Sequence, residues 1–175
     1  KRNYTANYYM EMLARCRDRV PGVSVSSDFI VGFCGETDES YRKTEELVRV
    51  AGFKNSFIFK YSERRGTKAA DRYPDDVDEL VKKRRNNDLL AIQTVNSRAD
   101  HRAQIGTIVE VLVEGPSRRD LASGGRESAV PEQPAHAGRS PVKQLTGRSM
   151  SDHIVVFDGT DRLVGQTVRV KVDDA

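Results

Sequence analysis

The sequence is poor in cysteine, has no tryptophan and contains no long apolar run. Its 175 residues include two cysteines, Cys16 and Cys34. Two cysteines are too few for a disulfide framework, and their spacing matches no CxxC metal motif. No apolar run reaches the roughly 18 residues that a membrane-spanning helix requires. These absences predict a protein of a reducing compartment, the cytoplasm, with no membrane partner.

Charge of one sign is not concentrated in either half of the chain. The net charge is +3, with 19 basic and 16 acidic residues before residue 101 and ten of each from there onward. A field this weak supplies little sequence-independent affinity for nucleic acid. Any RNA contact therefore needs a local cluster of Lys and Arg on one face.

The first hundred residues alternate between helical and strand patterns. Residues 25–31 and 56–61 are rich in β-forming residues, and the segment between them has a helical period that Gly52 ends. This order predicts a βαβ unit with parallel strands. The chain opens with "KRNYTANYYM", which is neither an initiator methionine nor a signal peptide. We interpret the first residue as a cut edge and the α/β unit as incomplete.

Three helices are predicted around these strands, each with an apolar face. Thr5 is placed to cap the first helix. The predicted faces are Tyr9, Met12, Leu13, Cys16 and Val20 in the first helix, Tyr41, Thr44, Val48 and Ala51 in the second, and Val77, Leu80, Val81, Leu89, Ile92 and Val95 in a long third helix over 75–104.

Past Gly106 the pattern changes to short strands at 107–115, 144–149, 153–159 and 165–175. Such spacing predicts a small closed β-barrel, expected to have five strands. An insertion at about 117–142 is rich in Gly, Ser, Pro and Arg and is expected to be disordered. The predicted domains are therefore residues 1–102, of α/β class, and residues 103–175, all β.

The stretch "SVSSDFIVGFCGETDES" ends a strand in glycines, which lets a ligand approach the main chain. Parallel strands leave free backbone groups at their carboxyl ends, where α/β folds hold ligands. Thr37 is placed to cap the next helix, and Asp38 and Glu39 occupy its positive end, which disfavours an anion. No GxxxxGK[ST] loop is present, so a nucleoside triphosphate site is excluded. A tight turn that needs glycine for steric reasons alone is the other interpretation.

Seven stretches of the sequence resemble one family, the radical S-adenosylmethionine methylthiotransferases. "KRNYT", "DFIVGFCGETDESY" and "FIFKYSERRGTKAA" resemble the last third of that family's catalytic barrel. "VEVLVEGPSRRD", "LTGRS", "IVVFDG" and "LVGQTVRVKV" resemble its closing TRAM domain, an OB-like barrel. The implied fold is the C-terminal portion of a radical SAM partial (β/α) barrel followed by a small all-β TRAM barrel. The motifs are closer to the branch that modifies tRNA than to the branch that modifies a ribosomal protein.

The resemblance implies a reaction in which a methylthio group is placed on carbon 2 of an isopentenylated adenosine beside the tRNA anticodon. It implies S-adenosylmethionine and two 4Fe-4S clusters as cofactors. Such clusters need cysteine thiolates, usually as CxxxCxxC for the first cluster. The two cysteines form no such triad, so the cluster ligands are expected outside this chain. No catalytic and no metal-ligating residue is predicted within it.

The resemblance also assigns a cofactor-binding strand end, which would contact the adenine side of S-adenosylmethionine. The resemblance places Ile30, Val31 and Gly32 there, and Asp28 and Gly35 complete the predicted cofactor-binding set. Asp28 and Ile30 are two positions apart on a strand and are expected on one face. The family usually has proline where Cys34 and Arg65 stand, and loss of a proline loosens a turn. Cys34 is interpreted as a neutral replacement.

The candidate RNA-binding residues are cations after the second strand and on the barrel. They are Arg64, Arg65, Arg118, Arg119, Lys143, Arg148, Arg162, Arg169 and Lys171. A barrel of this size binds a strand through a charged groove and backbone phosphates. The neighbouring carboxylates Asp158, Asp161, Asp173 and Asp174 are expected to lie on other faces.

Three functions stay open. The first is part of a tRNA methylthiotransferase that binds the anticodon stem-loop as a monomer. The second is a stand-alone RNA-binding module without catalysis, which an upstream CxxxCxxC would exclude. The third is a related enzyme that acts on another modified adenosine or on a ribosomal protein.

Overall fold

The computed structural model describes residues 3–117 and 142–175, which divide into two units. The first unit comprises residues 1–103 together with Ala175, and the second comprises residues 104–174. The insertion predicted at about 117–142 lies outside the described residues except at its two ends. Each unit buries its own set of apolar side chains.

The first unit is of mixed α/β type. Its described elements in chain order are helix α1 (Ala6–Arg19), strand β1 (Ser26–Val31), helix α2 (Asp38–Ala51), strand β2 (Asn55–Lys60), helix α3 (Lys68–Arg72) and helix α4 (Glu79–Gln104). The two strands are parallel, with Ser26 opposite Asn55 and Val31 opposite Lys60. The predicted βαβ unit is therefore confirmed.

The local sequence sets the ends of α1 and α2 as predicted. Thr5 Oγ1 accepts a hydrogen bond from Tyr8 N at 3.2 Å, and Thr37 Oγ1 accepts one from Ser40 N at 3.2 Å. These bonds satisfy amides that have no partner within the helix. Gly52 ends α2 in the left-handed conformation, with φ of 57°, which favours a residue without a side chain.

The core of the first unit confirms the predicted face of α2 and corrects that of α1. The apolar residues Tyr41, Val48 and Ala51 of α2 are all buried. From α1, Leu13 is buried and Tyr9 and Met10 pack against the same cluster. Met12, Cys16 and Val20 of the predicted face are exposed, so that part of the prediction is wrong. The buried stripe of α1 is therefore narrower than the stripe that its apolar residues form.

Helix α4 presents polar side chains to the core, which the sequence did not predict. Leu80 is 76% exposed and Val95 is 66% exposed, whereas Leu89 is fully buried. The buried positions of α4 are Lys82, Arg85, Leu89 and Gln93. None of the helices in the described part of the chain is long and apolar enough to cross a membrane.

The second unit is an antiparallel sheet. Its described strands are β3 (Ile108–Pro116), β4 (Lys143–Ser149), β5 (Ile154–Gly159) and β6 (Thr167–Lys171), and a 3-10 turn spans Asp161–Leu163. The order in the sheet is β5-β4-β3-β6, and the buried apolar side chains include Val111, Val113 and Leu145. The described residues of this unit form four strands, and β5 and β6 do not pair with each other. The expected fifth strand and closure are therefore not observed there.

Candidate cofactor and RNA-binding sites

The turn after β1 contains Gly32 and Gly35, whose φ values are 71° and 75°. These values lie in the region that glycine adopts without steric cost. Gly32 N donates a hydrogen bond to Glu36 Oε2 at 2.7 Å, and Gly35 N donates one to Asp76 Oδ1 at 2.7 Å. The prediction that amides at this strand end are free for a ligand is wrong for these two, because carboxylates of the same chain accept both.

Within the described residues, one face of the two-stranded sheet is largely exposed. Asp28 lies opposite Phe57, and Ile30 lies opposite Phe59, so these four side chains share a face. Ile30 is 58% exposed, and Phe57 and Phe59 are each 54% exposed. Val31 points to the other face and is fully buried, so it offers a ligand only its main chain. Parallel sheets usually have both faces covered.

A cleft of about 430 Å³ lies at the carboxyl ends of β1 and β2. Its walls include Ile30, Phe59, Lys60, Tyr61, Arg64 and Thr67. One predicted cofactor-binding residue, Ile30, and one predicted RNA-binding residue, Arg64, therefore line the same cleft. Asp28 instead lines a second cavity, of about 690 Å³, together with Ser26, Ser27 and Tyr4.

The ring of Tyr61 forms an ordered wall of the cleft. The edge of Phe33 meets this ring at a centroid distance of 4.9 Å, and Lys82 Nζ lies 5.5 Å from its centroid. Tyr61 N also donates a hydrogen bond to Val31 O at 2.8 Å. The Cys34 thiol beside the phenol, followed by burial, raises the pKa of Tyr61. The Cys34 thiol itself donates a hydrogen bond to Tyr73 O, at 3.8 Å.

Two buried cations of α4 lie beneath the turn. Arg85 Nη1 donates a hydrogen bond to Glu36 Oε2 at 2.8 Å, and Arg85 Nη2 donates one to Asp38 Oδ1 at 2.8 Å. Lys82 Nζ binds both carboxylate oxygens of Asp75, at 2.5 and 2.6 Å. The hydrogen bond from Arg85 is the main cause that lowers the pKa of Asp38.

Sequence reasoning missed these two cations, although a signal for them exists. Lys82, Arg85, Leu89 and Gln93 follow the i, i+3, i+7, i+11 period of one helix face. Of these four residues, the apolar pattern predicts only Leu89 as buried. The acidic stretch "GETDES" is a signal for buried cations, because its carboxylates can pair with a buried Lys or Arg.

The candidate RNA-binding cations of the first unit follow β2. Arg64 lines the cleft, and Arg65 is exposed. Arg64 O accepts hydrogen bonds from the backbone and side chain of Thr67, which caps α3. Arg118 and Arg119 lie outside the described residues.

Two predicted lysines of the second unit are paired with carboxylates of their own unit. Lys143 Nζ lies 2.6 Å from Asp161 Oδ2, and Lys171 Nζ lies 3.7 Å from Asp173 Oδ1. The expectation that Asp161 and Asp173 lie on other faces is therefore wrong. The long, flexible side chains of Lys143 and Lys171 reach acids that are near in the fold.

Arg148, a described cation of the second unit, pairs with two carboxylates. Its Nη1 lies 2.6 Å from Asp152 Oδ1, and its Nε lies 3.1 Å from Glu114 Oε1. The hydrogen bond to Asp152 is the main cause that raises the pKa of Arg148. Asp152 belongs to the turn after β4 and has a φ of 62°, a conformation that non-glycine residues rarely adopt.

The strand register brings some of these cations to one face. Arg148 lies opposite Leu112, while Arg169 and Lys171 lie opposite Glu110 and Ile108. Residues 108, 110 and 112 occupy every second position of β3, so their side chains point to the same exposed face. The three cations opposite them share this face of the sheet. Arg162 is exposed in the 3-10 turn, outside the strands that form this face.

Comparison with known proteins finds relatives along almost the whole chain, although no family model matches it. The chain is 49% identical over 174 residues to a protein of Rhodopirellula baltica, 39% identical over 171 residues to one of Chlorobium luteolum, and 41% identical over 175 residues to one of Bordetella pertussis. All three are named tRNA-2-methylthio-N(6)-dimethylallyladenosine synthase. The matches cover 98% to 100% of this chain and 34% of each relative, so the chain spans about a third of their length.

Proposed function

Because this chain belongs to the family of tRNA-2-methylthio-N(6)-dimethylallyladenosine synthases, we propose that it forms one part of a tRNA methylthiotransferase. The proposed reaction places a methylthio group on carbon 2 of an isopentenylated adenosine beside the anticodon. The observation that carries the proposal is the 49% identity over 174 residues, a span that includes both the Gly32 turn and the second unit.

The first unit would form part of a radical SAM barrel. Among the described residues, β1 and β2 pair only with each other, which leaves one free edge on each strand. Their exposed face also contains Ile30, Phe57 and Phe59. Free edges and an uncovered apolar face are features that further parallel strands would remove. The second unit would be a TRAM-type barrel, and its antiparallel sheet is compatible with that role.

S-adenosylmethionine would bind at the carboxyl ends of β1 and β2. The Ile30 side chain and the rings of Phe59 and Tyr61 offer an apolar surface to its adenine. Gly35 would let the main chain approach the cofactor, whereas the Lys82 side chain occupies the space beside Gly32. Neither glycine amide would donate a hydrogen bond to the cofactor, since Glu36 and Asp76 accept from them. When bound, this cofactor supplies the radical and methyl chemistry, and the residues of this chain position it.

The residues of this chain do not fit a 4Fe-4S cluster. A cubane cluster is held by several cysteine thiolates, and the chain has only Cys16 and Cys34. Cys16 is exposed on α1, whereas Cys34 is half-buried in the turn after β1. No step of the reaction is therefore assigned to a cluster on these residues, and the cluster ligands would belong to another part of the enzyme.

The tRNA would be bound as an anticodon stem-loop, in part by the exposed face that Arg148, Arg169 and Lys171 share. Arg148 and Lys171 can each exchange a carboxylate partner for a phosphate, because exposed ion pairs contribute only about 0–1 kcal/mol. Arg64, at the rim of the cleft, would contact the nucleotide nearest the cofactor.

Replacing Arg148 and Lys171 together with alanine should weaken tRNA binding and reduce its salt dependence. Each phosphate contact contributes about −0.7 to −0.9 to the slope of log affinity against log salt. Three or four contacts give a slope of roughly −3, and the double variant should be shallower by about one to two units. Mobility shifts with the anticodon stem-loop over a salt series measure both quantities.

A matched control removes two cations from α2 instead, through Lys43→Ala and Arg49→Ala. Both side chains are exposed, and Lys43 has an ion pair of its own with Glu39. This control should retain the slope and affinity of the parent chain. An equal loss in both double variants would mean that tRNA responds to net charge alone, and not to the sheet face.

Analysis of tRNA nucleosides tests the enzymatic proposal itself. Disruption of the reading frame that encodes this chain should remove 2-methylthio-isopentenyladenosine from the tRNA and leave isopentenyladenosine in its place. Mass spectrometry of hydrolysed tRNA measures both nucleosides. An unchanged methylthiolated pool would favour the stand-alone RNA-binding module, and loss of a different modification would favour a related enzyme with another substrate.

A further inference from the structure

Lys82 is a buried charge in a position that the proposed reaction does not explain. Its side chain is 3% exposed, and its ammonium binds both carboxylate oxygens of Asp75, at 2.5 and 2.6 Å. Burying an ammonium is unfavourable unless it is paired. Because burial of an ammonium is unfavourable, its presence at the carboxyl ends of two parallel strands requires a structural explanation.

The alkyl stem of Lys82 fills the space beneath Gly32. A Cβ atom built at Gly32 would lie 2.3 Å from Lys82 Cγ and 3.0 Å from Lys82 Cδ. The glycine is therefore required by a close approach as well as by its φ of 71°. Movement of the Lys82 stem would leave the turn without support on this side.

At the other end of the Lys82 side chain, the ammonium lies over the ring of Tyr61. It lies 5.5 Å from the centroid of the Tyr61 ring, which also packs against the Phe33 ring in an edge-to-face arrangement. A cation above an aromatic face stabilises the position of the ring. Tyr61 lines the cleft of about 430 Å³, and Phe33 belongs to the turn. Lys82 thus joins the turn after β1 to the ring at the end of β2.

We propose that Lys82 is a positioning residue for the cleft, which holds the Gly32 turn and the Tyr61 ring in the arrangement that binds a nucleoside. The inference rests on the proposed function, in which this cleft receives the adenosyl group of S-adenosylmethionine. Lys82 touches neither the nucleoside nor the reacting atoms. It acts through preorganisation, because a wall that is already ordered does not lose freedom when the ligand binds.

The test uses the full chain, the probe S-adenosylhomocysteine and the variant Lys82→Met, which retains an unbranched stem and removes the charge. Amide resonances of Gly32, Tyr61 and Arg64 report the titration by NMR. We expect Lys82→Met to bind about tenfold more weakly, a difference of ~1.4 kcal/mol. The matched control is Lys83→Met, which makes the same change at the next, exposed position of α4 and should bind as the parent does.

A second variant and a second readout separate positioning from folding. Asp75→Asn removes the negative charge that pairs with Lys82, at a side chain that is 29% exposed, and it should weaken binding in the same direction. Alkylation of Cys34 by iodoacetamide, followed by mass spectrometry, reports opening of the turn, and the exposed Cys16 on α1 serves as the internal reference. In Lys82→Met, Cys34 should react several-fold faster while Cys16 reacts at the parent rate.

The outcomes distinguish this inference from the proposed function. If the parent chain binds the probe and both Lys82→Met and Asp75→Asn bind it equally well, the positioning role is wrong and the cofactor site stands. If the probe shifts none of the three amides in the parent chain, the cleft is not the nucleoside site and both proposals fail. If Lys82→Met does not fold, Asp75→Asn decides: weaker binding with unchanged Cys16 reactivity supports the role, and unchanged binding overturns it.

Discussion

Replacing Arg85 with methionine should lower the free energy of unfolding of the first unit by about 3–5 kcal/mol, because it breaks a buried ion pair from one side. The Arg85 side chain is 4% exposed, and its partner Glu36 is 13% exposed. Arg85 Nη1 also donates a hydrogen bond to Glu36 O at 3.1 Å. Without the guanidinium, the Glu36 carboxylate loses its cationic partner in a site that is largely buried. Hydrogen exchange at amides of β1 and α2 measures the change.

Arg84→Met is the matched control for Arg85→Met. Arg84 is the preceding residue of the same helix, but it is 60% exposed and approaches Asp38 only at 3.5 Å. Its replacement should change stability by no more than about 0.5 kcal/mol. Adding Glu36→Gln to Arg85→Met should recover part of the loss, since it removes the unpaired charge. Equal effects of Arg84→Met and Arg85→Met would show that the buried pair does not stabilise the unit.

Replacing Gly147 with alanine should destabilise the second unit by about 3 kcal/mol, at the upper end of the cost of overpacking. A Cβ atom at Gly147 would lie 2.3 Å from Leu112 O and 2.6 Å from Val111 Cγ1. The nearest atom belongs to the backbone of the paired strand β3, so it cannot rotate away as a flexible side chain does. The strands β3 and β4 must then separate or shift. This contact explains the glycine of the "LTGRS" motif.

Thermal unfolding followed by NMR of the β3 and β4 amides measures the effect of Gly147→Ala. Thr146→Ala introduces the same residue one position earlier, on the other face of β4, and should cost less than about 1 kcal/mol. The amides of the first unit give an internal reference in both variants. If Gly147→Ala is as stable as Thr146→Ala, the close approach of the two strands is not a constraint on this position.

The sequence determined those features that depend on neighbours along the chain. A threonine side chain caps the amides of its own first turn, so Thr5 and Thr37 predicted where α1 and α2 begin. The positive φ at Gly52 ends α2 for an equally local reason. The strand, helix and strand order predicted the parallel pair of β1 and β2, because chain connectivity restricts the pairing. The motifs were sufficient to indicate the family, which the relatives bear out.

The tertiary structure alone decided which groups meet across the fold. Helix α4 turns Lys82 and Arg85 inward because the turn after β1 and the segment before α4 place Glu36 and Asp75 within reach. Glu36 lies more than 40 positions before Arg85, so no periodic pattern around Arg85 indicates that the two side chains pair. The apolar residues of α4 therefore predicted a different buried face. The amide of Gly35 was expected to be free for the same reason, since its acceptor Asp76 lies 41 positions away along the chain. Long-range pairing of charges depends on distance in space, and distance in space is what a periodic pattern does not contain.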